Sequence, residues 1–325
     1  MDAPPPPPPP AITVGWAGDL TPGWSGGLPP AGGRVQLAPV RDLLQAPDLM
    51  IGNLEGTLTS RGRSKCAGSR ARTCFAFRAP PGRARALAWA GFDVLNLANN
   101  HANDFGPAGW ADTVAALRRA GLRETGAPGQ IARLTVRGVR VGVLGFAPYA
   151  HAASLLDLGG ARRLVRRAAR DSDVVVVAMH AGAEGAGAVH VPRGRERAFG
   201  EDRGPTRAFA HTVVDAGADL VLGSGPHVIR GMERRSGRPI AYSLGNFAGW
   251  RNFGLGGRLS LSGLLEVRVG ADGAPQGGVW RSLRLTGPGV PRPDPRGASA
   301  ALAARLSRQD FGRDAGLSAR GRVLY

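Results

Sequence analysis

Five short apolar runs each end on a polar residue able to bind a metal or move a proton, and this recurrence constrains the fold of the chain. Residues 12–17 run into Gly18-Asp19, 49–54 into Glu55, and 92–97 into Asn99-Asn100-His101. Residues 174–179 end at His180, and 220–222 open into the stretch from Gly223 to His227. A weaker sixth run, 240–244, leads to Asn246. Apolar runs this short, bounded by glycine and polar residues, read as strands buried on both faces. Between them, residues 81–90, 107–120, 162–170 and 206–216 carry helical patterning, with Pro107 in a first helical turn and Gly121 just past the end. Alternating strands and helices predict an α/β fold. Ligands in such sheets bind beyond the carboxyl ends of the strands, so the six endings converge on one rim.

Each residue taken singly has a plain structural reading. Asp19 can cap a turn, Asn100 can occupy a left-handed bend, and His180 can be an ordinary strand-end histidine. Taken jointly, carboxylate, amide oxygen and imidazole form a mixed oxygen and nitrogen set suited to Mn, Fe, Zn or Mg.

The rest of the chain organises around this core. Residues 132–136 and 139–144 flank Arg137-Gly138 and read as a hairpin. Strands at 261–269 and 279–285 suggest a second, more antiparallel sheet. Residues 1–11 form a proline-rich leader, expected to be extended and disordered. Residues 288–325 are rich in proline, glycine and arginine and read as a tail with one short helix near 298–306. The folded domain is thereby expected at 12–287.

Hydrophobic residues make up 43% of the 325, enough for a buried core. The formal net charge is +18, carried almost wholly by arginine, with Lys65 the only lysine. Two readings of this charge stay open: attraction to a polyanion, or a composition in which arginine stands where lysine otherwise would. The arginines are spread along the chain and no nucleic-acid-binding signature accompanies them, which argues against a nucleic-acid partner. No apolar run approaches the roughly 18–20 residues a membrane helix needs, and no export signal is visible at the start. Cys66 and Cys74 flank a short loop. A loop-closing disulfide and two free thiols are both compatible with that spacing, and a zinc site lacks two further ligands nearby.

Several segments, spread over roughly residues 12–250, resemble in kind and in order the motifs of CapA-type poly-γ-glutamate capsule biosynthesis proteins, within the calcineurin-like metallophosphoesterase superfamily. They are Gly18-Asp19, Asn53-Leu54-Glu55, Asn99-Asn100-His101 with Asp104 and Gly106, His180 to Glu184, Gly223 to Val228, and Tyr242-Ser243-Leu244-Gly245-Asn246-Phe247. The resemblance implies a two-sheet β-sandwich flanked by helices, a four-layer α-β-β-α arrangement. It implies one or two divalent ions, with Asp19 and His227 on the first, Glu55 bridging, and Asn100 and His180 on the second. His101 would be the general acid, oriented by Asp104 and kept protonated by it, while Asn53, Glu184 and Asn246 would support the ligands, Glu184 by orienting His180.

Two departures bear on activity. Thr21 stands where phosphoesterases carry the histidine of Asp-x-His, a loss CapA-type proteins share, and Gly225 stands where many members have a further histidine. His190 or His211 could compensate, one in a glycine-rich loop and one in a helix. The resemblance implies a metal-dependent hydrolase-like protein acting in biogenesis of poly-γ-glutamate or a related anionic polymer. The alternative is a non-catalytic accessory protein that binds such a polymer with a degenerate site. The partners implied are an anionic polymer or phosphoester and capsule synthesis machinery at the membrane, and the location implied is the cell envelope.

Overall fold

Trp16 reaches from one sheet to another, its indole Nε1–H donating to the Gly223 carbonyl at 3.1 Å. The two sheets it joins were obtained as a computed structural model that describes residues 10–24, 27–69 and 74–325. Residues 1–9 of the leader lie outside the described residues.

The first sheet has eight strands. From one edge the order is Val290–Pro293, Pro275–Thr286, Leu261–Gly270, Ala11–Thr21, Leu49–Leu54, Val94–Asn96 and Arg123–Thr125, and Asn246–Gly249 also pairs with Ala11–Thr21. The second sheet runs Met232–Arg235, Arg238–Ala241, Leu220–Ser224, Val174–His180, Val139–Phe146 and Ala132–Val136. Between them lies a core to which the first sheet contributes Val14, Trp16, Ile51 and Val94, and the second Val141, Val143, Val176 and Leu222. Each such aliphatic side chain stabilises the sandwich by about 1.5–3 kcal/mol on burial.

Helices cover both outer faces. On the second sheet, Leu158–Asp171 and Thr206–Val214 bury Ala161, Val165, Phe209 and Val213 against Val175 and Val177. Asp157 caps the first of these, Oδ1 accepting from the Gly160 N–H at 2.8 Å. On the first sheet, Ala84–Ala90 and Gly106–Arg119 bury Leu87 and Leu117 over Met50 and Leu95. The expected α/β fold of four α-β-β-α layers is what the chain adopts.

Two expectations differ from the structure. The late strands Leu261–Gly270 and Pro275–Thr286 do not build the second sheet. They add antiparallel strands to the first, on the open side of Ala11–Thr21. The second sheet is instead parallel at its centre, where Val139–Phe146, Val174–His180, Leu220–Ser224 and Arg238–Ala241 run the same way. Helical crossovers set that direction for the first three, the link to Arg238–Ala241 runs through the strand Met232–Arg235, and only the two edge strands are antiparallel. The stretch after Pro288, read as a tail, is integrated into the fold. Val290–Pro293 pairs with Pro275–Thr286, and the helix Ala298–Phe311 buries Ala303, Ala304, Leu306 and Phe311. Its small residues let the helix approach closely, which a composition-based reading does not detect.

Candidate metal centre and the cleft above it

Asp19 sits where the strand Ala11–Thr21 changes partner. Its register shifts by a bulge on each side of Asp19, and the Asp19 N–H donates to the Gly245 carbonyl at 3.2 Å. Gly18 permits this approach, because a Cβ there would lie 2.2 Å from the Gly245 oxygen. The Asp19 side chain is fully buried, and Oδ1 accepts from Asn53 Nδ2 at 2.8 Å. Asn53 is itself held through Oδ1 by Asn96 Nδ2 at 2.9 Å, so a chain of amides along adjacent strands fixes the carboxylate.

Glu55, Asp19 and His180 close into a buried triad whose ligand atoms all lie within 4.8 Å of one another. His180 Nδ1 is 3.8 Å from Asp19 Oδ1, and Nε2 is 3.8 Å from Glu55 Oε1. Both nitrogens of His180 also face donors: Asn53 Nδ2 at 3.2 Å on one side and Arg203 at 3.3 Å on the other. Burial pushes His180 well below its ordinary value, and Arg203 adds to that against the pull of Asp19. The ring is therefore neutral, the form that binds metals. His227 completes the rim, with Nδ1 3.2 Å from Asp19 Oδ2 and 2.8 Å from Asn246 Oδ1, and Nε2 3.6 Å from Glu55 Oε1. It adopts a left-handed backbone at φ 59°, which costs a side-chain-bearing residue energy that its surroundings must offset.

The charges respond to one another. Burial raises Glu55 to about 8, with Asp19 and Glu184 adding to the effect and His227 opposing it. Burial also disfavours the charged form of His227, but Glu55, Asp19 and Glu184 outweigh it and lift the imidazole to about 10. Asp19 is held below its ordinary value because contacts with His227, His180 and Asn53 overcome its burial. Both oxygens of Glu55 are buried without a hydrogen bond among the described residues, as is Oδ1 of Asn100. Orphaned oxygens beside a neutral imidazole are the donor set a hard or borderline divalent cation takes, so the residues present fit a metal.

A cleft of about 540 Å³ opens above the triad, lined by Lys65, Phe77, Asn100, His101, Arg203 and His227 among others. His101 Nδ1 lies 2.8 Å from Asp104 Oδ2, the partnership expected from the sequence. Its protonation differs from expectation. Burial lowers His101 from its ordinary value, and the nearby cations Lys65 and His227 add to this, so the gain from Asp104 does not prevail. Glu184 also differs. It does not touch His180 but pairs with Arg203 at 2.5 Å and lies 3.7 Å from His227 Nε2.

His190 and His211 lie outside the centre, since His190 pairs with Asp310 at 2.7 Å and His211 with Glu233 at 2.9 Å. Gly225 sits at φ 110° and gives its N–H to Asp19 Oδ2 at 3.2 Å. A Cβ there would come within 3.0 Å of the Ala181 nitrogen. The position expected to hold a further imidazole thus serves Asp19 through its backbone.

Sequence reasoning missed Arg203 and the role of Lys65. Arg203 is 1% exposed and comes from the hairpin of Glu196–Ala198 and Glu201–Gly204, with no motif to announce it. Lys65 carried a signal, as the one lysine of the chain.

A family profile described as bacterial capsule synthesis protein PGA_cap matches residues 13–249. The capsule biosynthesis protein CapA of Bacillus anthracis is 35% identical over 189 residues, 51% of this chain and 43% of that one. The PGA biosynthesis protein CapA of Bacillus subtilis strain 168 is 29% identical over 231 residues, 65% of this chain and 56% of that one. A probable polyglutamine synthesis accessory protein of Mycobacterium tuberculosis is 31% identical over 268 residues, 74% of this chain and 65% of that one. The match thus spans roughly half to two thirds of these relatives' own length. Among solved structures, a putative 5'-nucleotidase of Staphylococcus aureus aligns with a TM-score of 0.45 at 15% identity, over 91% of this chain and 58% of that one. The NAD nucleotidase of Haemophilus influenzae gives 0.42 at 10% identity, over 93% of this chain and 56% of that one. With its ordered motifs inside the matched span, this chain belongs to the CapA-type bacterial capsule synthesis (PGA_cap) family.

Proposed function

We propose that this chain is a metal-dependent hydrolase-like protein that acts on an anionic polymer or phosphoester in capsule polymer biosynthesis, poly-γ-glutamate being the polymer named for its relatives. The observation that carries the reading is Glu55, a buried carboxylate with two orphaned oxygens between Asp19, His180 and His227. Asp19, Glu55 and His180 would hold a divalent cation, with His227 and Asn100 as further donors at its edge. A bound cation would supply charge neutralisation for the attacked centre and an activated water.

The remaining roles fall to the chain itself. Asp104 ties Nδ1 of His101, which leaves Nε2 as the nitrogen that can meet a leaving oxygen and protonate it. An anionic group entering the cleft brings opposite charge to His101 and restores its proton affinity. Arg203 lines the cleft and gives it a cationic wall that favours such a group. Among the described residues, no helix is long and apolar enough to cross a membrane. The envelope location rests on the family.

A second reading, a binding-only accessory protein, is favoured by Gly225, whose backbone conformation and close packing leave the centre one imidazole short. Metal content and hydrolysis of bis(p-nitrophenyl) phosphate with added Mn²⁺ separate the two. Bound metal and turnover lost in Asp19→Ala and His101→Ala support the hydrolase. Absent metal and no turnover above those variants, with salt-sensitive retention of polyglutamate persisting in them, establish the binder instead.

A further inference from the structure

Cys66 and Cys74 are joined in a disulfide, and the residues flanking it grip one carboxylate from two sides. Lys65, just before Cys66, places Nζ 2.6 Å from Asp104 Oδ1 and donates its backbone N–H to the Asp104 carbonyl at 2.7 Å. Its Nζ also donates to the Asn100 carbonyl at 3.2 Å. Phe77, three residues past Cys74, donates its backbone N–H to Asp104 Oδ2 at 2.6 Å. Its ring lies 4.2 Å from the His101 imidazole, centroid to centroid. The same Oδ2 holds Nδ1 of His101.

The segment bearing Lys65 is held by polar surface contacts, such as that of Arg61 Nε with Asp112 Oδ2 at 3.1 Å. Residues 60–69 are exposed or half-buried throughout, so no apolar anchor fixes them to the core. Phe77, by contrast, is buried, and its carbonyl accepts from the Thr57 N–H at 3.0 Å. The disulfide therefore ties a surface segment without an apolar anchor to one that carries the buried Phe77. A cross-link of this kind removes chain entropy that would otherwise oppose the Lys65 contact. The ammonium is a compact point charge, suited to one buried carboxylate oxygen where the broad arginine fork is not.

We infer that Lys65 and the Cys66–Cys74 disulfide together position the His101–Asp104 pair. The disulfide holds Lys65 over Asp104, Lys65 and the Phe77 N–H fix the carboxylate, and the carboxylate fixes the imidazole. This rests on the reading of His101 as proton donor. Neither Lys65 nor the disulfide need touch the substrate for this role.

The test uses the full chain, oxidised, with bis(p-nitrophenyl) phosphate and Mn²⁺. Lys65→Met is expected to lower kcat about 10- to 100-fold through misplacement of the imidazole. KM should stay within about two-fold, and Lys65→Arg should recover part of the loss. Reduction by dithiothreitol, which converts the disulfide to two thiols, should give the same loss in the wild type. A raised KM with unchanged kcat makes Lys65 a substrate contact and overturns the inference, as does a kcat indifferent to both changes.

If the wild type shows no turnover above Asp19→Ala, the hydrolase reading has failed, and amide exchange decides the positioning separately. The Phe77 amide and those of residues 101–106 should then exchange at least about tenfold faster in Lys65→Met and after reduction. Unchanged protection overturns the inference. Should Cys66→Ser/Cys74→Ser not fold, Lys65→Met, which keeps the disulfide, remains decisive.

Discussion

Glu55 Oε1 lies 3.8 Å from His180 Nε2, and neither oxygen of this fully buried carboxylate receives a hydrogen bond among the described residues. A buried carboxyl whose two oxygens both lack a hydrogen bond is destabilising, charged or neutral, unless a cation or a donor offsets it. Glu55→Gln should therefore stabilise the metal-free protein, by about 1–3 kcal/mol, while removing its response to metal. Wild type should gain about 2.7 kcal/mol when free Mn²⁺ is a hundred times its dissociation constant. Thermal unfolding with and without Mn²⁺, alongside titration calorimetry, reads both effects. Equal metal stabilisation of the two proteins would sink the assignment of Glu55.

The proton donor can be separated from the metal centre. His101 touches Asp104, Phe77 and Lys65, so the proton-donor role proposed for it can be probed apart from the metal binding proposed for Asp19, Glu55 and His180. His101→Gln is expected to lower kcat about 10²- to 10⁴-fold while metal content stays as in wild type. Elemental analysis of the variant together with steady-state kinetics checks this. Loss of metal along with activity would place His101 among the ligands instead.

The legible part of the site was the set of strand endings. Asp19, Glu55, His180 and His227 could be read because parallel strands covered on both faces appear as uninterrupted apolar runs, and their ends stand out. Arg203 could not be read, since it reaches His180 only after the hairpin Glu196–Gly204 folds over the rim. Nor could the direction of His101, because the sequence names its carboxylate partner but not the burial and nearby cations that outweigh it. The sheet assignment of Leu261–Gly270 failed for a related reason. An alternating pattern predicts a strand but not its neighbour, and Ala11–Thr21 had an open edge to offer.

Away from the cleft, Glu233 offers a clean test of pH dependence. It is buried and accepts from the Tyr242 hydroxyl at 2.6 Å, His211 Nε2 at 2.9 Å and Arg207 at 3.2 Å. Burial would raise its carboxyl, but these partners prevail and hold it below its ordinary 4.5. A carboxyl depressed in the folded state contributes stability above its unfolded value and loses it as pH falls through the folded one. Glu233→Gln should cost about 2 kcal/mol near neutrality. That gap should narrow steadily below about pH 4.5, where the unfolded carboxyl begins to take up its proton first. Urea unfolding of both proteins across acidic pH measures it, and a gap independent of pH would contradict the ion-pair account.

Phe311 decides whether the C-terminal segment belongs to the core. Its ring stacks on Tyr242 at 5.3 Å with planes 16° apart, and the Arg207 guanidinium carbon lies over the same ring, 4.9 Å from its centroid. Tyr242 in turn holds Glu233, so this aromatic pair couples the helix Ala298–Phe311 to the second sheet, alongside Ser307 Oγ, which accepts from the Met232 N–H at 2.8 Å. A phenylalanine in an unpacked tail could be truncated with an effect within about 0.5 kcal/mol. In this packing Phe311→Ala should destabilise by about 3 kcal/mol or more, from lost burial and the cavity left beside Tyr242. The double variant with Tyr242→Phe separates the stacking from the hydroxyl. Because the two rings touch and Arg207 contacts both Phe311 and Glu233, the two losses should depart from additivity by about 0.5–3 kcal/mol. A Phe311→Ala variant as stable as wild type in urea would return residues 298–311 to the status of a tail.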